Sequence, residues 1–258
     1  MTQTIGFIGS GAIGSALARL SVAAGLNVVM SNSRGPESLA ELVSELGDRA
    51  RAATPAEAAQ AADLVVAAVP FGHYRQLPAE ALVGKTVIDT MNYYPERDGR
   101  MDEVEARELT TSELVQRHLA GSRVVKGLHN LDYRRLFVSA RPSGAADRRA
   151  LPIAGDDAAA KADVARFMDA IGYDAVDIGA LSKSWRIGPH TPIYVLPYIG
   201  EAPRGMTKDE AKRWFLETPG VPVSVDQVKE LVRKAVPGLP VGATIAALPP
   251  GMIEAMYP

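Results

Sequence analysis

"FIGSGAIGSALARL", residues 7–20, is the stretch on which the reading of the whole chain turns. Apolar residues run into a glycine-spaced turn, and the turn runs into a segment with Ile13, Ala16, Leu17, Leu20 and Ala24 at helical spacing. The pattern predicts a strand, a tight turn and an amphipathic helix that Gly25 ends. Within it, Gly9-x-Gly11-x-x-Gly14 gives each glycine its own task. Gly9 permits the turn, Gly11 lets a pyrophosphate approach the backbone, and Gly14 lets the helix lie close to the strand. The helix start adds unpaired N–H groups and a positive dipole end for phosphates. Gly9, Ser10, Gly11, Ala12, Ile13 and Gly14 are therefore expected to bind a dinucleotide. A purely structural turn is the bland alternative, and the strand–turn–helix setting near the chain start argues against it.

Outward from that motif, strand and helix signals alternate. "LNVVMS" reads as a second strand, and Pro36 opens a helix with Leu39, Leu42, Val43 and Leu46 on one face and Gly47 as its stop. Thr54-Pro55 caps an alanine-rich helix, and Thr110 with Glu113 forms a capping box. "DLVVAAVP", "KTVIDTMN", "SRVVKGLHN", "ALPIAG" and "YDAVDIG" read as further strands. The expected fold class is α/β, a doubly wound, mostly parallel sheet over residues 1–180. Beyond Gly179 the texture changes, with 11 of the 18 prolines falling between Pro189 and Pro258. Residues 181–258 are expected to form a C-terminal extension, a lid or dimer arm, with helices capped by Thr207 and Ser224.

Composition narrows the function classes. The 258 residues carry 28 basic and 30 acidic side chains, so the surface lacks the basic excess that a nucleic-acid partner requires. With no cysteine, thiolate catalysis, disulfides and cysteine-bound metal are excluded, and His73, His118 and His190 lack metal-ligand spacing. The longest apolar run, "LVVAAVPF", is too short for a membrane span. The expectation is a cytoplasmic protein with a small-molecule substrate, no membrane partner and a homodimeric state.

Which dinucleotide binds is decided after the second strand, where NAD sites place an acid that accepts from the ribose. Here the segment reads Ser31-Asn32-Ser33-Arg34, with no acid from Met30 through Pro36. Hydroxyls and a guanidinium suit a 2′-phosphate, which favours NADP. Two other loops should meet the cofactor at the same sheet edge, one through Val69, Pro70 and Phe71 and the other through Asn92. His129 and Asn130 follow a buried-looking strand and are expected to position the nicotinamide or the second ring. Lys126 is read as a surface charge and His118 as an exposed helix residue. Asp156 and Asp157 are read as a helix cap. Arg134, Arg135, Arg141, Arg148 and Arg149 form a basic stretch that suits either an acidic ligand tail or a solvated face.

"IGFIGSGAIGSALA", "SNSRGPESL", "VPFGHY", "VIDTMNYYPERDG" and "SRVVKGLHN", in that order, resemble the coenzyme F420-dependent NADP oxidoreductase family over about residues 3–180. The resemblance implies a Rossmann-type fold, NADP on the first glycine turn, and hydride exchange with the deazaflavin coenzyme F420; the expected acceptor is a ring of this type, the deazaflavin first and a flavin second. The resemblance also implies that Ser31, Ser33 and Arg34 hold the 2′-phosphate. Hydride transfer between two rings needs positioning rather than a nucleophile. An imine or β-hydroxyacid reductase is the first alternative, since its opening motif is similar, and a non-catalytic NADP sensor or scaffold is the second.

Overall fold

The computed structural model describes residues 2–244 and 248–256, with backbone alone at 254 and 256. Eight described strands form one sheet in the order β3-β2-β1-β4-β5-β6-β7-β8. They are β1 (Thr4–Ile8), β2 (Asn27–Ser31), β3 (Ala50–Ala52), β4 (Leu64–Ala67), β5 (Thr86–Asp89), β6 (Arg123–Lys126), β7 (Ala150–Gly155) and β8 (Asp174–Asp177). β1 pairs in parallel with both β2 and β4, so the chain reverses its direction of winding there and leaves a crevice at the strand ends. The sheet is parallel from β3 to β6; β7 then runs antiparallel to β6 and parallel to β8. This is the expected mostly parallel α/β architecture.

Side-chain alternation along each strand builds two cores. Phe7, Val66, Ile88 and Val125 face the first helix, Ala12–Ala23, and the helix Ala158–Ala170. Their neighbours Ile8, Val65, Val87 and Val124 face the helices Pro55–Ala61 and Thr111–His118. A fully buried side chain of this kind stabilises the fold by about 1.5–3 kcal/mol, which is why both faces of the sheet are covered. The expected caps form at Thr54–Glu57, Thr110–Glu113, Thr207–Glu210 and Ser224–Gln227, each a reciprocal capping box. Asp157 accepts from Ala160 N at 2.7 Å, and Asp156 accepts from Leu181 N at 2.9 Å.

The proline-rich region lies on the chain's own body. Ala150 N donates to Val223 O at 2.8 Å, which carries the segment before the helix Val225–Arg233 along β7. Val228 and Val232 of that helix enter the first core. Arg135, expected in a ligand-facing or solvated stretch, is instead fully buried. Its guanidinium lies 4.4 Å from the Phe215 ring centre and donates to the carbonyls of Phe215 and Thr218. Arg149 likewise donates to Val221 O and Pro219 O, each at 3.0 Å, and Arg148 is tied to Asp169 and Asp174. These three arginines clamp the chain together because the forked guanidinium, with five donors, satisfies several converging acceptors at once.

Two other expectations change. "SRVVKGLHN" is a strand only through Lys126, since Leu128 adopts a left-handed φ of 57° that ends the extended run. His118 is half-buried, with Nε2 3.0 Å from Leu77 O. No described helix is long and apolar enough to cross a membrane.

Candidate functional site

The crevice at β1 and β4 opens into a cleft of about 720 Å³. Gly9 has φ 112°, and a Cβ there would sit 2.2 Å from Ala68 O. A Cβ on Gly14 would sit 2.1 Å from Gly9 O, so helix and strand touch backbone to backbone. Gly11 differs: a Cβ there would meet nothing within 4 Å. Its open side faces the cleft, which Gly11, Ala12 and Ile13 line. The first helix starts at Gly11 with no side-chain cap and no acid in its first turn. Its N–H groups and dipole are thus left for an anion, and the cradle fits a pyrophosphate.

Asn32 organises the loop after β2. Its Nδ2 donates to Ser10 Oγ at 3.2 Å and to Ser38 Oγ at 2.9 Å, while its Oδ1 accepts from Arg34 N at 2.9 Å. This turn leaves Ser33 and Arg34 exposed beside the glycine turn. Ser31 departs from expectation: it is fully buried and its hydroxyl donates to Phe7 O at 2.7 Å. As the last residue of β2, it points into the core and offers nothing to a 2′-phosphate. The free groups are those of Ser33 and Arg34.

Val69, Pro70, Thr90, Met91 and Asn92 form the cleft wall at the ends of β4 and β5. Phe71 does not join them. It is fully buried, stacked on Tyr74 at 5.1 Å and set edge-on to Tyr93 at 5.8 Å, so its role is packing. Tyr94 and Tyr194 also line this wall, and their hydroxyls lie 3.1 Å apart. Burial raises both phenol pKa values, so both stay protonated through the neutral range.

His129 and Asn130 converge on one acceptor, the carbonyl of Ile187, from Nε2 at 2.9 Å and Nδ2 at 2.8 Å. His129 borders the cleft, and burial, reinforced by Lys126, holds its pKa well below the ordinary value; the ring is neutral. Asn130 is fully buried away from the cleft, and its backbone carbonyl accepts from Val195 N. It fastens the segment of residues 187–195 and does not line the cleft. Lys126, read as a surface charge, is also buried. Its ammonium lies 3.4 Å from Asp89 Oδ2 and donates to Met91 O, and burial lowers its pKa against the opposing pull of Asp89. A strand-end lysine shows its partner only when β5 and β6 are paired, so spacing alone does not reveal it.

A second cavity, about 370 Å³, lies alongside. Asn92 lines both spaces, and Lys126, Ser184 and Trp185 line the second. Segment 236–242 closes it. The aromatic, proline-rich run 182–198, which includes Ser184 and Trp185, reads in the sequence as a cover for an apolar ring; Lys126 and segment 236–242 gave no such signal.

Comparison with known proteins agrees with this geometry. Residues 4–93 match the profile of the family described as NADP oxidoreductase, coenzyme F420-dependent. A hypothetical protein from Sinorhizobium meliloti is 31% identical, with a TM-score of 0.66, over 76% of this chain and 94% of that one. The chain belongs to the coenzyme F420-dependent NADP oxidoreductase family. A candidate F420-dependent NADP-reductase from Arthrobacter sp. FB24 shares the fold at 24% identity and a TM-score of 0.60, over 71% of this chain and 87% of that one. A search of the curated proteins gave no match. This member of the F420-dependent NADP oxidoreductases is an NADP-dependent oxidoreductase. Its acid-free loop, open glycine turn and cleft wall meet at the crevice beyond β1 and β4.

Proposed function

We propose that this chain passes hydride between NADP(H) and a ring-type acceptor, coenzyme F420 first and a flavin second. The observation that carries the reading is the junction at Asn92, where the dinucleotide cleft meets a second, mostly apolar cavity. Bound NADPH supplies a hydride with both electrons; the acceptor ring is reduced, and a solvent proton completes the reduction. In this reading the turn Gly9–Gly14 holds the pyrophosphate, Ser33 and Arg34 hold the 2′-phosphate, and Val69, Pro70 and Asn92 border the nicotinamide. Neutral His129 stiffens the wall through Ile187 without placing a charge there. Such a site works by holding two rings in contact, with the reacting carbons roughly 3–3.5 Å apart.

An imine or β-hydroxyacid reductase is the second reading, and one observation favours it. The hydroxyl pair of Tyr94 and Tyr194 lines the cleft and could deliver a proton to a substrate nitrogen or oxygen. Anaerobic mixing of the protein and NADPH with coenzyme F420, FMN, riboflavin and a small imine panel separates the readings. Bleaching of the deazaflavin or flavin band, matched by NADPH oxidation, is the expected result. Turnover with imines alone would transfer the assignment to the second reading. Tight NADPH binding without any turnover would identify a sensor.

A further inference from the structure

We infer that the buried pair Lys126–Asp89 is a positioning device, one that holds the Met91 peptide unit, and with it Asn92, at a fixed place in the cleft wall. Its net contribution to the stability of the fold is small. The inference rests on the reading above that Asn92 borders the nicotinamide for its choice of probe, and on the geometry around Met91 for the rest.

Asp89 and Lys126 are the last residues that β5 and β6 pair in register. Beyond them the backbone leaves the sheet while Met91 stays 2% exposed. The N–H and C=O of Met91 therefore need partners that the strand ladder no longer supplies. The two side chains supply them. Asp89 Oδ1 accepts from Met91 N at 2.9 Å, and the Lys126 ammonium donates to Met91 O. Asp89 Oδ2 lies 3.4 Å from that ammonium and accepts from Ser112 Oγ at 2.7 Å. The flanking residues are tied as well. Thr90 donates from N and Oγ1 to Ala67 O, while Asn92 donates to His129 O and accepts from Arg97. Thr90, Met91 and Asn92 all line the dinucleotide cleft.

Stability alone does not account for two full charges at this place. Both side chains are buried. Taking an ammonium and a carboxylate out of water offsets most of their attraction, and a well-packed uncharged pair is often as stable. An uncharged pair of similar shape does not grip one peptide unit from both sides. Lys126 and Asp89 do so, donor to the carbonyl and acceptor to the N–H, and this fixes the direction in which the chain runs on to Asn92. Asn92 lines both the cleft and the second cavity, so any error in its placement reaches both spaces. Ring contact is sensitive to small misplacements of the groups that border it. Ser112 lines neither space and reaches the wall through Asp89.

The test compares the full chain with Lys126→Met, Asp89→Asn and the double variant. Each single change leaves a buried charge without its partner and should lower the thermal midpoint. The double variant removes both charges, and its midpoint should return close to the parent's. Positioning should not return with it. NADPH emission, excited in the nicotinamide band, reports the surroundings of the ring, and the parent should enhance it on binding. The double variant should lose most of that enhancement and bind NADPH about tenfold more weakly, the effect of roughly one hydrogen bond. Its affinity for 2′-phospho-ADP-ribose, which lacks the nicotinamide, should be unchanged by calorimetry. Ser112→Ala should show the same loss of enhancement in smaller degree, and it decides the matter if the double variant does not fold. Full enhancement in these variants, or a double variant whose midpoint stays as low as those of the single variants, would overturn the positioning role. A parent that binds NADPH with no enhancement would overturn the placement of the nicotinamide beside Asn92, and the positioning role with it.

Discussion

The amide of Asn32 donates to the hydroxyl of Ser10 at 3.2 Å, so the loop after β2 is tied to the glycine turn after β1. The same side chain accepts from Arg34 N at 2.9 Å. One residue therefore sets the geometry of both segments. Asn32→Ala should weaken NADPH and NADH together, by about 5–30-fold, because pre-organisation is lost whichever nucleotide binds. Calorimetry with both nucleotides checks this, and an effect on NADPH alone would contradict it.

Arg34 should behave differently. Its guanidinium is exposed at the loop, and in the proposed site only NADPH brings a phosphate to it. A charge-assisted hydrogen bond is worth about 1.5–3 kcal/mol, so Arg34→Ala should weaken NADPH by roughly 10–150-fold and NADH hardly at all. Equal losses would place the 2′-phosphate elsewhere.

Gly9 and Gly11 separate folding from binding. Gly9→Ala puts a methyl 2.2 Å from Ala68 O at φ 112°, and should lower the unfolding free energy by about 2 kcal/mol or more. Gly11→Ala meets no neighbour within 4 Å, so urea unfolding should stay within about 0.5 kcal/mol of the parent. The added methyl occupies cofactor space, and NADPH affinity should fall at least tenfold.

His129 predicts the direction of a pH effect. Burial, then the nearby Lys126 charge, holds its pKa well below the ordinary 6.5 in the folded chain, against hydrogen bonds to the Ile187 and Gly127 carbonyls. Between the lowered value and 6.5 the unfolded chain carries more of this proton. Stability from this residue is therefore complete above pH 6.5 and is lost as the pH falls below it. The slope for one proton is at most about 1.4 kcal/mol per pH unit. Urea unfolding at pH 7.5 to 5.5, about the range where histidine titrates, should show a shallower decline in His129→Gln.

Arg135 should matter far more than Arg141. Arg135→Met leaves the carbonyls of Phe215 and Thr218 and the buried Asp132 carboxylate short of donors. The expected loss is about 3–5 kcal/mol, seen as a drop of about 10 °C in thermal midpoint. Arg141 pairs with Asp147 at the surface, and Arg141→Ala should cost about 1 kcal/mol or less.

Much of the site was legible because its signals are local. Gly9, Gly11 and Gly14 differ in backbone conformation and in what a Cβ at each would meet, and their spacing announces those separate tasks. Thr54, Thr110, Thr207 and Ser224 declare helix starts through a partner three residues on. Ser31 was misread because it ends β2, where one residue of phase decides between core and cleft; Phe71 was misread because it opens a short 3-10 helix whose Phe71 and Tyr74 turn inward. Asn130 and Lys126 were misread for another reason: their partners, Ile187 and Asp89, lie 57 and 37 residues away.

By itself the sequence determined the alternation of strands and helices, the glycine turn between β1 and the first helix, and the absence of an acid after β2. Each of these depends on neighbours within about one helical turn or one strand. Tertiary structure alone decided that Lys126 would be buried against Asp89, and that His129 and Asn130 would share the Ile187 carbonyl. It also brought Trp185, Ser184 and segment 236–242 around a second cavity at Asn92. Those contacts join distant segments, and their energy comes from desolvation and packing that exist only once the sheet has assembled.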